Sequence, residues 1–297
     1  MTLSERNTFF KAGIGFCAVC VLLLLAASFF IVPLYKTDFV LSETESIMAP
    51  DFEEHLNSDT DKTPRPKSFF QALTGRFMKT NFYAVHTSLA LAVLFSLIGM
   101  MLIHHFFERT SAPEILYVAI FTVTLSFEII RLILPLRHII IFPSFYVVIT
   151  SRTLLFVRFF GVFSLFAASI CAAGLEAQKT RNIIFIIIIA ALVITLGIPI
   201  DVLNWDTSLN IVNGYESMFR MIDLAIFVTT MVSFLIASRI RESKEYTYVA
   251  AGIMLALIGR NILLNTDNWI GPVLGIVLLS YGTWFLCTKL HKIHLWL

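Results

Sequence analysis

Charge is what this 297-residue chain has least of. Asp, Glu, Lys and Arg together make up 14% of it, against about 25% in a soluble globular protein. Hydrophobic residues reach 58%, with 28 Phe, and the mean hydropathy is +0.83. That composition excludes a soluble enzyme and a disordered protein. A net charge of +2 gives no footprint for nucleic acid or another polyanion. Cysteine is scarce as well. Cys17, Cys20, Cys171 and Cys287 each lie in an apolar run, and the C-x2-C of Cys17 and Cys20 has no second thiol or His pair at zinc spacing. The four read as packed thiols, and no metal site is implied. No lysine lies deep in an apolar run, so a retinal-type Schiff base has no amine. A G-x-S-x-G elbow, an H-E-x-x-H zinc site and a P-loop are all missing, and no cofactor is implied.

Long apolar runs are what the chain does have. A helix needs about 20 apolar residues to cross about 30 Å of hydrocarbon. Eight runs qualify: 10–34, 82–106, 114–136, 144–173, 182–200, 218–238, 247–265 and 270–289. The fold class expected is an all-α integral membrane protein, an eight-helix transmembrane bundle. The first run is longer than the 7–15 apolar residues of a signal peptide and is read as a retained anchor. Residues 1–34 then form a cytoplasmic tip and anchor helix, 35–81 an extracytoplasmic segment, and 82–297 a seven-helix domain. Tyr35, Tyr83, Tyr146, Trp205 and Trp269 fall at span boundaries, the depth amphipathic rings prefer.

Lys and Arg set the orientation. With the amino terminus inside, the internal segments carry ten of them (Arg6, Lys11, Arg109, Lys179, Arg181, Arg239, Arg241, Lys244, Lys289, Lys292), while the short external loops carry only Arg137. The expectation is a multi-pass protein of the bacterial cytoplasmic (inner) membrane with both termini cytoplasmic. Residues 36–67 hold eight acids and Pro50, Pro64 and Pro66, and read as a mobile acidic tether. Residues 68–79 place Phe69, Phe70, Leu73 and Phe77 near one helical face. They read equally as an interfacial helix or as the lead-in to the second span.

Charge inside the spans is the informative feature, because each such group costs about 2.5–3.5 kcal/mol to insert. Glu128 and Arg131 lie in the third span, Arg152 and Arg158 in the fourth, Arg220 and Asp223 in the sixth, and Arg260 and Asn261 in the seventh. Counting about 1.5 Å per residue from the outer ends puts Arg220 about 5 Å deep. Arg131, Arg260 and Asp223 lie at about 8–9 Å, Glu128 and Arg152 at about 12 Å, and Arg158 at about 21 Å. Glu128–Arg131 and Arg220–Asp223 are i, i+3 pairs, expected to neutralise each other locally. Five arginines against two carboxylates then leave three positive charges over, on Arg152, Arg158 and Arg260.

Two readings fit this layer. One is an outward-facing pocket for a small anionic ligand, with Arg131, Arg152, Arg220 and Arg260 presenting forks to a carboxylate or phosphate. Glu128, Asp223 and Asn261 would orient those forks, with Arg158 below and His86 of the second span at the same level. The other is a structural polar network that fixes helix register, with the arginines snorkelling to the near interface. His104, His105, His291 and His294 gather at the opposite face, where a metal would need facing pairs that the spacing does not supply.

No internal repeat relates spans two to four with five to seven, which removes the usual pointer to an inverted-repeat transporter. Gly271 and Gly275 form a G-x3-G that permits close helix contact. In topology alone, spans two to eight are similar to bacterial seven-helix sensor modules that follow an external segment. Such modules feed an output domain, and the internal loops here are too short to hold one. The reading is therefore a sensor-like or accessory subunit acting through a separate cytoplasmic or membrane partner. A small-anion transporter, or a subunit of one, is the alternative, as is a membrane enzyme acting on lipid headgroups. The stretch Phe159-Phe160-Gly161-Val162-Phe163 below Arg158 is dry, which favours a closed pocket over a through-path.

Overall fold

The computed structural model describes residues 3–48, 81–108, 110, 112–133, 144–174, 180–197 and 216–295, with side chains in the first helix through Ile31. Every regular element among them is helical, and eight helices are long and apolar enough to cross a membrane. The protein is a multi-pass, all-α membrane bundle. Its helices are α1 (Leu3–Met48), α2 (Phe82–Phe107), α3 (Pro113–Ser126), α4 (Ser144–Ala172), α5 (Thr180–Gly197), α6 (Glu216–Ile240), α7 (Glu245–Asn265) and α8 (Ile270–Leu295). All eight expected spans are present. The helix α1 runs past its expected end at residue 34. Pro33 lies inside the helix without ending it, and residues 35–48 contain neither Gly nor Pro, the next breaker being Pro50. The first part of the supposed tether is therefore helical, while residues 49–67 and the 68–79 segment lie outside the described residues.

The centre of the bundle is α3. It packs between α2 and α4, and most of its residues are buried, including Glu114 and Tyr117. By contrast α1, α5 and α6 are peripheral and leave most of their apolar surface outward, as lipid-facing helices do. The α7–α8 hairpin is the tightest contact. A methyl group on Gly275 would lie 2.8 Å from Leu263 Cα, and one on Gly282 would lie 2.8 Å from the Gly252 carbonyl. The G-x3-G of Gly271 and Gly275 thus serves a contact within the chain, with Gly271 against Thr266 of the preceding loop.

Several helix ends are closed by side chains. Asn81 caps α2 by accepting from the Tyr83 amide at 2.9 Å, and its own amide donates to the Asp267 carbonyl at 2.9 Å. That second bond ties the α7–α8 loop to the start of α2. Pro113 begins α3, where its lost donor is harmless. Arg6 donates to the Phe107 carbonyl at 2.6 Å and to the Thr110 carbonyl, capping α2 from α1. Arg241 donates to the Ala172 carbonyl at 2.7 Å at the end of α4. A guanidinium suits this role because it carries both donors and positive charge to the negative end of a helix dipole. Beyond α4 the chain turns at Gly174, whose φ of +122° favours glycine.

One element departs from the expected α-helix. After Ser126 the third span tightens into a 3-10 segment, Phe127–Leu132. Just before it, Thr122, Thr124 and Ser126 each turn their hydroxyls back to the carbonyls of Val118, Phe121 and Val123 at 2.6–2.9 Å. Such bonds compete with the α-helical ladder and bend it. Three residues per turn place Glu128 and Arg131 in eclipse on one side of the segment.

Candidate functional site

The site is built on that 3-10 segment, which packs against α2 and α4 and is tied to α7 through the Leu264 carbonyl. Glu128 is only 2% exposed and sits at its centre. Arg158 of α4 grips it with both edges of the guanidinium, Nε to Oε1 at 2.8 Å and Nη2 to Oε2 at 2.7 Å. Arg131 Nη1 reaches the same Oε2 at 3.5 Å and donates to the Leu264 carbonyl of α7 at 3.1 Å. The expected Glu128–Arg131 pair is therefore present but secondary, and Arg158, expected to lack an acid, holds the carboxylate. The depth count erred because it located backbones. Every Cα–Cβ bond leans toward its helix's N-terminus, and α3 and α4 are antiparallel, so Arg158 leans toward the layer while Glu128 leans to meet it.

Arg260 of α7 joins the cluster differently. It interacts electrostatically with Glu128, Asp223 and Arg158. Its single hydrogen bond among the described residues is a long one, Nη2 to the Arg158 carbonyl at 3.5 Å, and its buried Nε has no acceptor. Asp223 of α6 interacts with Arg260 and Arg158 across the helix boundary. It is exposed and makes no hydrogen bond or ion pair among the described residues. The expected Arg220–Asp223 pair is accordingly not formed. Three guanidiniums, on Arg131, Arg158 and Arg260, act on Glu128.

The other candidates lie apart. Arg152 donates to the Leu196 carbonyl at 3.4 Å and caps α5, one residue from its end. That bond gives the expected unpaired charge a backbone partner outside the cluster. Arg220 is exposed on α6. Asn261 accepts from Asn265 on the exposed side of α7 and orients none of the arginines among the described residues. His86 faces α1, with Nε2 3.0 Å from Ser28 Oγ and its ring stacked on Phe82. The histidines of the opposite end also separate. His294 meets Glu114 at 3.3 Å, His291 packs edge-on to Phe107, and His104 does so to Phe10. Among the described residues no three His, Cys, Asp or Glu are grouped to hold a metal, and the four cysteines are free thiols.

Glu114 escaped the sequence reading. It is 1% exposed at the first turn of α3, within electrostatic reach of Tyr246 and Cys171. Its position right after Pro113 looked like an ordinary span boundary. The available signal was that a carboxylate there suits a helix N-terminus and needs no lipid-facing excuse.

No family model and no solved structure matches the chain. It is similar to a protein of Treponema pallidum (strain Nichols), which carries only the description "Uncharacterized protein". The two are 19% identical over 239 residues, covering 64% of this chain and 69% of that one.

Proposed function

We propose that this protein binds a small anion between the 3-10 segment, α4, α6 and α7, with Arg260 as the group that meets it. It serves as a sensor-like or accessory subunit of the bacterial inner membrane, opening to the outside, with both termini cytoplasmic and a separate output partner. One observation carries the reading. In a cluster where Glu128 already satisfies Arg158, Arg260 keeps a buried Nε without an acceptor and only a 3.5 Å bond to a carbonyl. A guanidinium cannot shed its proton to escape that cost. A carboxylate or phosphate oxygen would supply what it lacks. Below Arg158, the buried side chains of Phe159, Val162 and Leu165 support a closed pocket over a transport path.

The test is thermal unfolding of the purified, detergent-solubilised protein titrated with sodium acetate or inorganic phosphate over a constant sodium chloride background. The parent is expected to be stabilised in a saturable way, and Arg260→Gln to lose the response while still inserting in the membrane. A parent that responds to neither anion, or an Arg260→Gln protein that responds like the parent, overturns the reading.

A further inference from the structure

The open end of the α7–α8 hairpin, far from the Glu128 cluster, sets two lysines on one acid. Lys289 Nζ lies 3.1 Å from Glu245 Oε2, and Lys292 Nζ donates to Oε1 at 2.7 Å. Neither lysine nor Glu245 makes another ion pair among the described residues, so two ammonium groups share a single carboxylate. A lysine near a membrane surface ordinarily stretches out until its ammonium reaches water. Lys289 does the reverse. Its Nζ lies 4.6 Å from the Tyr248 ring centroid and 5.6 Å from that of Phe285, one turn back toward the middle of the span. Its side chain is 22% exposed, against 53% for Lys292. From Phe285 the rings continue inward. Tyr281 stacks on Phe285 with centroids 6.0 Å apart, and Trp284 is 5.9 Å from Tyr281. Trp284, Tyr281 and Val277 are each more than half exposed and share one outward face of α8, spaced by three and four residues. An aromatic belt accounts for rings at the boundary, but Tyr281 lies about 12 Å of helix axis from Lys289.

We infer that this face of the hairpin binds an anionic phospholipid of the surrounding leaflet. Its phosphodiester sits on Lys292 and Lys289, and one acyl chain runs along Trp284, Tyr281 and Val277. The site is separate from the Arg260 pocket and stands without it. Charge selects the headgroup. Glu245 offsets one of the two lysines, and a phosphodiester carries the one negative charge that offsets the other. The Lys292 ammonium gives one of its three protons to Glu245 and has two left to donate. A choline headgroup brings a cation of its own, and the acid it would seek is already held by both lysines. The rings of Tyr248 and Phe285 fix the Lys289 ammonium at the level of the lipid phosphate, so its stem need not be ordered when the lipid arrives. A free phosphate would meet the same ammonium groups but gain nothing from the aromatic stripe, which only a chain lying in the membrane can cover.

The experiment follows thermal unfolding of the purified full-length protein in an uncharged detergent at fixed salt. Phosphatidylglycerol or phosphatidylcholine of the same acyl chains is titrated into the micelles. The parent is expected to half-saturate with phosphatidylglycerol at a mole fraction about fivefold below phosphatidylcholine, the worth of one lysine at a lipid surface. The double variant Lys289→Gln/Lys292→Gln should respond to the two lipids alike. Arg260→Gln should keep the parent's preference. In that Arg260→Gln background glycerophosphoglycerol, the same headgroup without chains, should not raise the midpoint. Equal stabilisation of the parent by the two lipids, or none by either, overturns the inference. In the second case a dimer by light scattering would give the stripe to a second copy of the chain. A double variant that keeps the preference, or an Arg260→Gln protein that loses it, overturns the inference too, since the charge read would then lie elsewhere. Glycerophosphoglycerol acting as well as the lipid would make the lysines a site for a soluble anion. The comparison of the two lipids on the parent needs no variant, so a poorly folding substitution does not shelter the idea.

Discussion

Arg158 and Glu128, thirty residues apart in sequence, form a two-pronged ion pair at 2.7 and 2.8 Å that joins α4 to the 3-10 segment ending the third span. The acid is enclosed, and the arginine side chain keeps 20% of its exposure. Removing one partner therefore strands the other where water cannot compensate.

Glu128→Leu alone leaves Arg131, Arg158 and Arg260 facing each other without their shared acid. It is expected to cost about 3–5 kcal/mol, as breaking a buried pair does. Arg158→Leu is expected to cost toward the lower end of that range, because Arg131 remains to Glu128. The double variant should lose clearly less than the sum of the two. Unfolding midpoints of the four proteins in one detergent provide the cycle, and additivity would show that the pair is not coupled.

Arg152 separates capping from binding. Its hydrogen bond goes to the Leu196 carbonyl near the end of α5. Arg152→Leu should lower stability by about 0.5–1.5 kcal/mol, the net worth of one hydrogen bond, and leave the acetate response of the folded protein intact. A lost response with normal unfolding would move Arg152 into the pocket.

Gly161 sets the distance between α4 and α3. A methyl group there would lie 2.5 Å from Thr124 Oγ1 and 3.3 Å from Thr124 Cβ. Gly161→Val should destabilise by about 1–3 kcal/mol through overpacking. It should also weaken acetate binding, since Arg158 lies one turn away on the same helix. Thr124→Ala in the same chain should restore part of both losses, measured by thermal unfolding and titration.

Orientation is open to a direct assay. Alkaline phosphatase fused after residue 60 is expected to be active, and fused after residue 243 inactive. The reverse pattern would place the charged layer on the cytoplasmic side.

How far sequence carried depended on the kind of constraint. The eight spans were readable because a backbone in lipid must satisfy its own hydrogen bonds, so an apolar run of the right length has one outcome. The hairpin glycines were readable as a close contact, but not as one between α7 and α8 rather than between two chains. The shared level was legible for Glu128, Arg131, Asp223 and Arg260, but it took in Arg152 and Arg220, which lie apart, and left Arg158, the acid's main partner, well below. Glu128–Arg131 looked complete within one helix, and Arg220–Asp223 looked the same; the first is outcompeted by Arg158 and the second does not form.

From its sequence alone this chain was bound to be an all-helical membrane bundle with guanidiniums and carboxylates inside its spans, because hydropathy and span length leave no other solution. Tertiary structure decided who touches whom. Helix rotation, the lean of side chains toward each helix's N-terminus and the tightening of residues 127–132 gave Glu128 to Arg158, sent Arg152 to the end of α5, and left the buried Nε of Arg260 without an acceptor. Those are differences of a few ångströms between side chains, which a periodicity of residues along the chain does not encode.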